Sequence, residues 1–260
     1  MSLTHAASVT GEKTPEKYST EAKAGVGMPV TPLVFLLTSG TGAVDAFVIL
    51  AIGDAFASIM TGNLIFLGLG IGTQSGETLS FVLAAFLGYV GGGGAGSYLV
   101  KKLYRPTERK VWPPRVTAAL GIQLIVLSAL SLWWFIAGAS FSHLQGLILL
   151  ICLAAAMGIQ GAAIRSVGVT LSTTYLTGAL TTLLESVVTR KSFTVTEAAA
   201  LTALLSLVCG AVAGGLLYTL WSSLALLFPV VTLASAVSIC LLVHLRSRRR
   251  QRSSRCSTSV

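Results

Sequence analysis

Asp45 is the only acidic residue in the interior of a long apolar segment. An ionised carboxylate at the centre of a membrane helix costs about 2.5–3.5 kcal/mol on insertion scales. Such a side chain therefore faces the bundle interior, pairs with another group, or binds a proton or a cation. A purely structural hydrogen bond to a neighbouring Thr or to the backbone is the alternative. Because ionisable groups inside membrane segments are usually functional, we expect Asp45 to exchange a proton or bind a cation.

Glycine-containing breaks in two apolar segments carry a second group of polar side chains. Hydroxyl and amide groups can coordinate a polar solute, and glycine leaves the neighbouring backbone carbonyls and amides open to a ligand. Close packing of helices through small residues is the alternative interpretation. Together with Asp45, the residues that we assign to a substrate or ion pathway are Thr61, Gly62, Asn63, Gln160, Thr177 and Gly178.

Arg165 ends the apolar segment that contains Gln160. One interpretation places its guanidinium at the mouth of the pathway, or paired with Asp45. The other extends the side chain to the cytoplasmic headgroups, as Arg at a helix end usually does. We favour the second interpretation for this residue.

Sequence motifs for catalysis and metal binding are missing. The chain contains no HExxH motif, no nucleophile elbow and no paired carboxylates within one apolar segment. Its four cysteines show no CxxC spacing, so they predict neither a disulfide framework nor a metal site. We therefore expect no enzymatic activity, no cofactor and no metal.

The composition indicates an integral membrane protein. Apolar residues make up 53% of the 260 residues and charged residues 10%, and the mean hydropathy is +0.81. Polar side chains are too few to cover the surface of a soluble globule. The predicted fold class is an all-α polytopic helix bundle. Its eight apolar segments cover residues 30–52, 55–73, 79–100, 117–138, 145–165, 167–188, 197–221 and 224–245.

The first four segments and the last four are predicted to be copies of one unit. The stretch from Gly42 to Gly68 resembles the stretch from Gly158 to Leu184 at a constant offset. Residues 87–99 resemble residues 205–217 once two residues are inserted. The two copies cover residues 30–138 and 145–245.

Three basic clusters determine the predicted topology. They lie at residues 101–115, 190–191 and 246–255, and basic loops next to membrane segments are generally cytoplasmic. Eight crossings would place the first and last clusters on opposite sides, whereas six crossings place all three on one side. We therefore predict six crossings, two cytoplasmic termini, and re-entrant or broken helices for the second and sixth segments. Three crossings per copy make the copies inverted relative to each other.

Both ends of the chain lie outside the predicted membrane domain, residues 28–246. Residues 1–27 mix Lys and Glu, which predicts a disordered cytoplasmic arm. Residues 247–260 form a basic cytoplasmic tail, which we expect to bind anionic lipid headgroups at about 1 kcal/mol per basic residue. The lipid bilayer is thus the main partner, nucleic acid is not expected, and homo-oligomerisation is left open.

Four motifs occur in a specific order along the chain: Asp45-Ala46, MTGN at Met60 to Asn63, MGIQ at Met157 to Gln160, and LTG at Leu176 to Gly178. In this order they resemble the YoaK family of bacterial membrane proteins, a domain of unknown function. The resemblance covers about residues 30–245. It implies a multi-helix fold in the bacterial inner membrane and no established substrate. This chain departs from the family pattern at Gly161, where the family usually carries Asn.

Duplication with broken segments favours a small-solute or ion transporter or channel, with a pathway at the interface of the two copies. The alternative is a non-transporting membrane scaffold or signalling protein, in which the same residues only pack helices. Hydration distinguishes the two hypotheses. A pathway needs polar side chains from both copies facing one cavity, whereas a scaffold buries them in dry pairs.

Overall fold

The structure, a computed structural model, describes residues 30–102, 113–138, 141–167, 173–189 and 195–257. Every regular element in these ranges is helical. A short 3-10 turn, Ser222–Leu224, joins the last two helices. The helices are α1 (Val30–Ala51), α2 (Met60–Gly72), α3 (Gly76–Lys102), α4 (Pro114–Ala137), α5 (His143–Arg165), α6 (Thr173–Val188), α7 (Val195–Leu220) and α8 (Leu227–Ser257).

Six of the described helices, α1, α3, α4, α5, α7 and α8, are long and apolar enough to cross a membrane. α2 has 13 residues and α6 has 16. Neither reaches the roughly 20 apolar residues that a crossing needs. The prediction of an all-α polytopic bundle with six crossings and two shorter segments is confirmed.

Three helix boundaries differ from the sequence prediction by five residues or more. α6 begins at Thr173 rather than at residue 167. α2 begins at Met60 rather than at residue 55, because residues 52–59 form a loop despite their apolar composition. α8 continues to Ser257, well past the predicted end at residue 245. The continuation is rich in Arg and contains neither Gly nor Pro, so nothing in it interrupts a helix.

Glycines bring α3 and α5 into close parallel contact. A Cβ added at Gly88 would meet the Ile151 carbonyl oxygen, and one added at Gly96 would lie 3.0 Å from the Ile159 Cα. The partner residue advances along α5 as the glycine advances along α3, so the two helices run in the same direction. Only a residue without a side chain permits backbones to approach this closely.

α1 and α7 form a second parallel pair of the same kind. A Cβ at Gly210 would meet the Ser39 carbonyl oxygen, and one at Gly214 would lie 2.8 Å from the Ala43 Cα. The predicted duplication makes α1 equivalent to α5 and α7 equivalent to α3. The α1–α7 pair therefore makes the glycine contacts that are expected if it is a copy of the α5–α3 pair.

One equivalent contact can be followed residue by residue. Gly42 on α1 packs against the Leu207 carbonyl oxygen on α7, and Gly158 on α5 packs against the Tyr89 carbonyl oxygen on α3. Gly42 and Gly158 are equivalent in the predicted duplication, and Leu207 and Tyr89 are equivalent once the two-residue insertion is allowed. The same close approach thus occurs at equivalent positions.

α4 and α8 pack against each other in opposite directions. At one end of the bundle the Trp134 Nε1 donates to the Ser222 carbonyl oxygen over 2.7 Å. At the other end Thr117 Oγ1 and His244 Nε2 lie 3.3 Å apart. Since α4 and α8 are the fourth helices of the two predicted copies, their antiparallel arrangement is that of inverted repeats.

α2 begins inside the bundle and ends at its surface. The Thr78 hydroxyl at the start of α3 donates to Asp54 Oδ2 over 2.7 Å, so α1 ends beside the start of α3. Ser58, just before α2, instead contacts Asp45, which lies six residues before the end of α1. Six helical residues span about 9 Å at 1.5 Å per residue. The loop therefore runs back along α1 by about 9 Å before α2 starts. This is the geometry of a re-entrant segment.

The outer surface of the bundle is apolar. Large side chains such as Ile65, Ile136 and Val188 are at least three-quarters exposed, at 75%, 75% and 81%. A soluble protein rarely presents large contiguous apolar patches, whereas a membrane protein turns such side chains to lipid. The protein is therefore a multi-pass membrane protein in contact with the bilayer.

Candidate functional site

Asp45 holds the re-entrant loop in place. Its side chain is only 4% exposed. Its Oδ1 accepts a hydrogen bond from the Ser58 backbone N–H over 2.9 Å, and its Oδ2 accepts one from the Ser58 hydroxyl. The carboxylate thus lies next to the N-terminal end of α2, where the free backbone N–H groups and the helix dipole favour a negative charge.

Asn63 holds the same loop from the other side. It is fully buried in the first turn of α2. Its Oδ1 accepts from the Phe56 backbone N–H and its Nδ2 donates to the Phe56 carbonyl oxygen, both over 2.8 Å. The Asn63 amide therefore replaces the backbone partners that Phe56 would have in a helix. Without it, the Phe56 N–H and carbonyl groups would be unpaired within the membrane, at a cost in free energy.

Gly62 explains how α2 packs onto this loop. A Cβ at Gly62 would lie 2.9 Å from the Phe56 ring, so glycine leaves space for that ring. Thr61, its neighbour, is exposed on the outer face of α2. Of the predicted pathway residues in α2, Asn63 and Gly62 contact the loop.

A second polar cluster, which we call the amide row, lies deeper in the bundle. Gln123 Nε2 on α4 donates to Gln160 Oε1 on α5 over 2.6 Å. Gln160 Nε2 in turn donates to Thr41 Oγ1 on α1 over 3.0 Å and to the Leu37 carbonyl oxygen over 3.4 Å. The amide row therefore joins helices from both predicted copies.

A small cavity of about 10 Å³ lies beside the amide row, between α1, α4, α5 and α8. Its polar lining comes from Gln123, Gln160 and Thr232, and Gly40 lies opposite Thr232. Gln123 is 1% exposed, and its Oε1 has no hydrogen-bond partner among the groups that the structure describes. A buried acceptor of this kind costs about 1–3 kcal/mol unless something donates to it.

The amide row and the Asp45 site adjoin along α1. Thr41 and Asp45 are four residues apart on one helix, so their side chains lie on the same face, one turn apart. A Cβ at Gly161 would lie 3.0 Å from the Tyr89 hydroxyl, so the side chain at position 161 controls the space around that hydroxyl.

The remaining predicted residues lie away from these clusters. Arg165 is exposed at the end of α5, and Gly178 is exposed on α6 with open space around it. The side chain of Thr177 is outside the part of the structure that is described. In the described part of the chain, Asp45 and Asn63 therefore hold one loop, whereas Gln160 belongs to the amide row.

Two members of the amide row, Gln123 and Thr41, were not among the predicted pathway residues. Gln123 was detectable in principle, because it is an amide in the middle of an otherwise apolar segment. Thr41 was not, because Thr in a membrane helix usually bonds its own backbone, and its hydroxyl here also donates to the Leu37 carbonyl oxygen.

Comparison with known proteins places this architecture in a family. The family description "Protein of unknown function (DUF1275)" matches residues 33–240, which is most of the bundle. The chain belongs to the DUF1275 family. The UPF0700 transmembrane protein YoaK of Bacillus subtilis (strain 168) is 34% identical over 162 residues, covering 62% of this chain and 68% of that protein. The predicted resemblance to the YoaK family is confirmed. No solved structure matches the chain.

Three of the four motifs that carried the resemblance to the YoaK family lie at the two clusters just described. Asp45 and the MTGN motif, which contains Gly62 and Asn63, form the re-entrant loop site. The MGIQ motif supplies Gln160 to the amide row and Met157 to the cavity. The fourth motif, LTG at Leu176 to Gly178, belongs to α6 and contributes to neither cluster in the described part of the chain.

Proposed function

We propose that this DUF1275 protein is a transporter or channel for small polar solutes or ions, and that its pathway passes the amide row between the two halves. The observation that carries the proposal is the cavity lined by Gln123 from one half and Gln160 from the other. Polar side chains from both halves at one cavity are what a pathway needs. The bacterial inner membrane, with both termini cytoplasmic, is the proposed location.

Stability alone gives little reason for the amide row. Interhelical hydrogen bonds between side chains in membranes contribute about 0.6 kcal/mol on average. That gain is smaller than the cost of leaving Gln123 Oε1 buried without a donor. The arrangement makes physical sense if a solute or water supplies that donor.

The Asp45 site has a supporting role in this proposal. Asp45 and Asn63 fix the start of α2 at the depth of the bundle's polar groups. Broken helices held at this depth are common beside substrate sites, because they end next to the ligand. We propose that the loop site shapes one side of the pathway while the amide row contacts the solute.

Solute uptake by proteoliposomes tests the proposal. Purified protein is reconstituted, and a panel of small polar solutes and ions is screened for flux above protein-free liposomes. We expect flux for at least one solute and its loss in Gln160→Leu, which removes the centre of the amide row. Leu153→Met on the same helix is the control, because Leu153 is buried and apolar and the exchange nearly conserves volume. Equal flux in Gln160→Leu and wild type would refute the proposed pathway.

A non-transporting scaffold is the second candidate. It is favoured by the Asp45 and Asn63 contacts, because both side chains bond to protein groups of the loop and of the first turn of α2. A scaffold predicts no flux for any solute, although the protein inserts and folds. The same reconstitution experiment therefore separates the two candidates. We do not expect enzymatic activity for either.

A further inference from the structure

The direction of the hydrogen bonds in the amide row is determined by one backbone group. The Leu37 carbonyl oxygen can only accept, so Gln160 must turn its NH₂ group toward it. Gln160 then presents Oε1 to Gln123, which must donate through its own NH₂ group. Gln123, which lines the cavity, is left with an unpaired Oε1.

Two groups at the cavity can accept a hydrogen bond, Gln123 Oε1 and the Thr232 hydroxyl. The Thr232 hydroxyl donates to the Pro229 carbonyl oxygen over 3.1 Å, so its lone pairs remain for a ligand. Gln160 directs both of its N–H groups to protein oxygens, whereas Gln123 directs one to Gln160 and retains the other. A molecule that carries N–H or O–H hydrogens fits these acceptors.

The lining is also uncharged. Besides the two glutamines and Thr232, the described lining consists of Gly40, Pro229, Met157 and leucines. An ion of either sign in this cavity would have no counter-charge, and burying an uncompensated charge is far more costly than burying a neutral hydrogen-bonding group. The ligand is therefore expected to be neutral.

The size of the cavity limits the ligand further. A volume of about 10 Å³ is close to what a single water molecule requires. We infer that the cavity binds one neutral, water-sized hydrogen-bond donor, water or ammonia, through Gln123 Oε1. That the bound molecule also crosses the membrane rests on the proposed function. The inference narrows the transported solute to water or ammonia.

Permeation measurements on the full chain in proteoliposomes test the passage of this class. Water flow is measured by light scattering after an osmotic step, and ammonia entry by an internal pH dye after addition of ammonium chloride. The fluxes of potassium and nitrate are measured as controls with charged solutes. We expect water, ammonia or both to pass faster than through protein-free liposomes, and the gain to be lost in Gln123→Leu. Leu120→Met, buried on the same helix but outside the cavity lining, should retain it.

The outcomes separate the two neutral ligands and the two hypotheses. Passage of water alone or ammonia alone identifies the ligand, and either result supports the inference. Potassium or nitrate flux that depends on Gln123 would overturn the inference while leaving the proposed function intact. A gain in water or ammonia passage that Gln123→Leu leaves unchanged would overturn it as well. Gln123→Met, which keeps an unbranched side chain, replaces the Leu variant if that variant does not fold.

Binding can be measured without transport. In water-edited solid-state NMR of protein carrying ¹³C-labelled glutamine, magnetisation passes from the protons of a bound donor to the side-chain carbonyl of Gln123. The Gln123 signal is assigned as the one that is absent from the Gln123→Leu spectrum. We expect rapid transfer to Gln123. Transfer without any solute flux would support the site and refute the proposed function. If no transfer reached Gln123 and neither water nor ammonia passed, the inference would be wrong.

Discussion

At the scale of single residues, Asp45 and Asn63 show how polar side chains stabilise a non-helical segment inside an apolar bundle. Residues 53–59 do not form a helix, and no water is present in the hydrocarbon region to bond their backbone groups. A carboxylate beside Ser58 and an amide beside Phe56 supply the missing partners. The polar residues that the sequence marks as chemically interesting are, in this loop, also what permits the chain to turn back.

Two substitutions separate the contribution of the Asp45 hydrogen bonds to stability from the contribution of its charge. Asn at position 45 can still accept from the Ser58 N–H and donate to the Ser58 hydroxyl, so we expect Asp45→Asn to lower the free energy of unfolding by less than about 1 kcal/mol. Asp45→Leu leaves both Ser58 groups unpaired and should cost about 1–3 kcal/mol for each. Reversible unfolding in mixed detergent measures both values.

The same pair of variants tests the expectation that Asp45 exchanges a proton or binds a cation. If its role is to hold the loop, Asp45→Asn retains solute flux and Asp45→Leu loses it. Flux is measured in proteoliposomes with and without an imposed pH gradient. A folded Asp45→Asn protein that has lost its flux would restore a functional role for the charge.

Asn63 offers a comparison within one helix. Asn63→Ala leaves the Phe56 N–H and carbonyl groups unpaired in a buried position, so the free energy of unfolding should fall by about 1–3 kcal/mol or more. Thr61→Val, two residues earlier on the exposed face of α2, should change it by less than about 0.5 kcal/mol. Similar losses in both variants would show that Asn63 does not anchor the loop.

At the scale of helices, two parallel pairs joined by glycines form the scaffold that positions the amide row. The α3–α5 pair carries Gln160, and the α1–α7 pair carries Thr41 and Asp45. Lipid tails are as apolar as the side chains, so the hydrophobic effect does not drive these helices together. Close backbone contact through small residues supplies the attraction instead.

Neighbouring glycines on α3 test this scaffold. A Cβ at Gly92 would overlap the Ala155 carbonyl oxygen, whereas one at Gly91 would have nothing within 4 Å. We expect Gly92→Ala to lower the free energy of unfolding by about 1–3 kcal/mol through overpacking. Gly91→Ala should be neutral or stabilising by up to about 1 kcal/mol, because Ala favours the helix. Equal effects at the two positions would argue against the close α3–α5 contact.

Sequence patterns predicted the helices well and the loop poorly. Apolar length alone indicates a membrane helix, so the six crossings and most of their ends were predictable. Residues 55–59 are equally apolar, and only the buried bonds of Asp45 and Asn63 make them a loop. The amide row joins residues more than a hundred positions apart, such as Thr41 and Gln160, and no local pattern reports such a contact.

At the scale of the whole molecule, the antiparallel α4–α8 contact and the two parallel pairs describe a bundle with two distinct ends. Ser80 and His143, 3.2 Å apart, lie at the end where α3 and α5 begin. Arg165 and Lys102 lie where those two helices finish. The basic clusters predict that this second end is cytoplasmic.

The basic tail gives a prediction at the cytoplasmic surface. Residues 246–255 contain six Arg residues that directly follow the last apolar segment. We expect a peptide of the tail to bind vesicles containing anionic lipid, and the binding to weaken steeply as salt shortens the Debye length to about 8 Å. Vesicles of neutral lipid are the control. Binding that salt does not affect would indicate a specific partner instead.

The re-entrant path of α2 is the central claim, because it places a broken helix beside the polar centre of the bundle. Single cysteines at positions 54, 74, 105 and 143, in a chain without its four native cysteines, test it by labelling with an impermeant maleimide on intact cells. Since Asp54 bonds to Thr78, positions 54 and 74 should both react from outside, as position 143 does, while position 105 reacts only after permeabilisation. Labelling of positions 54 and 74 from opposite sides would mean that α2 crosses the membrane, and would contradict the account.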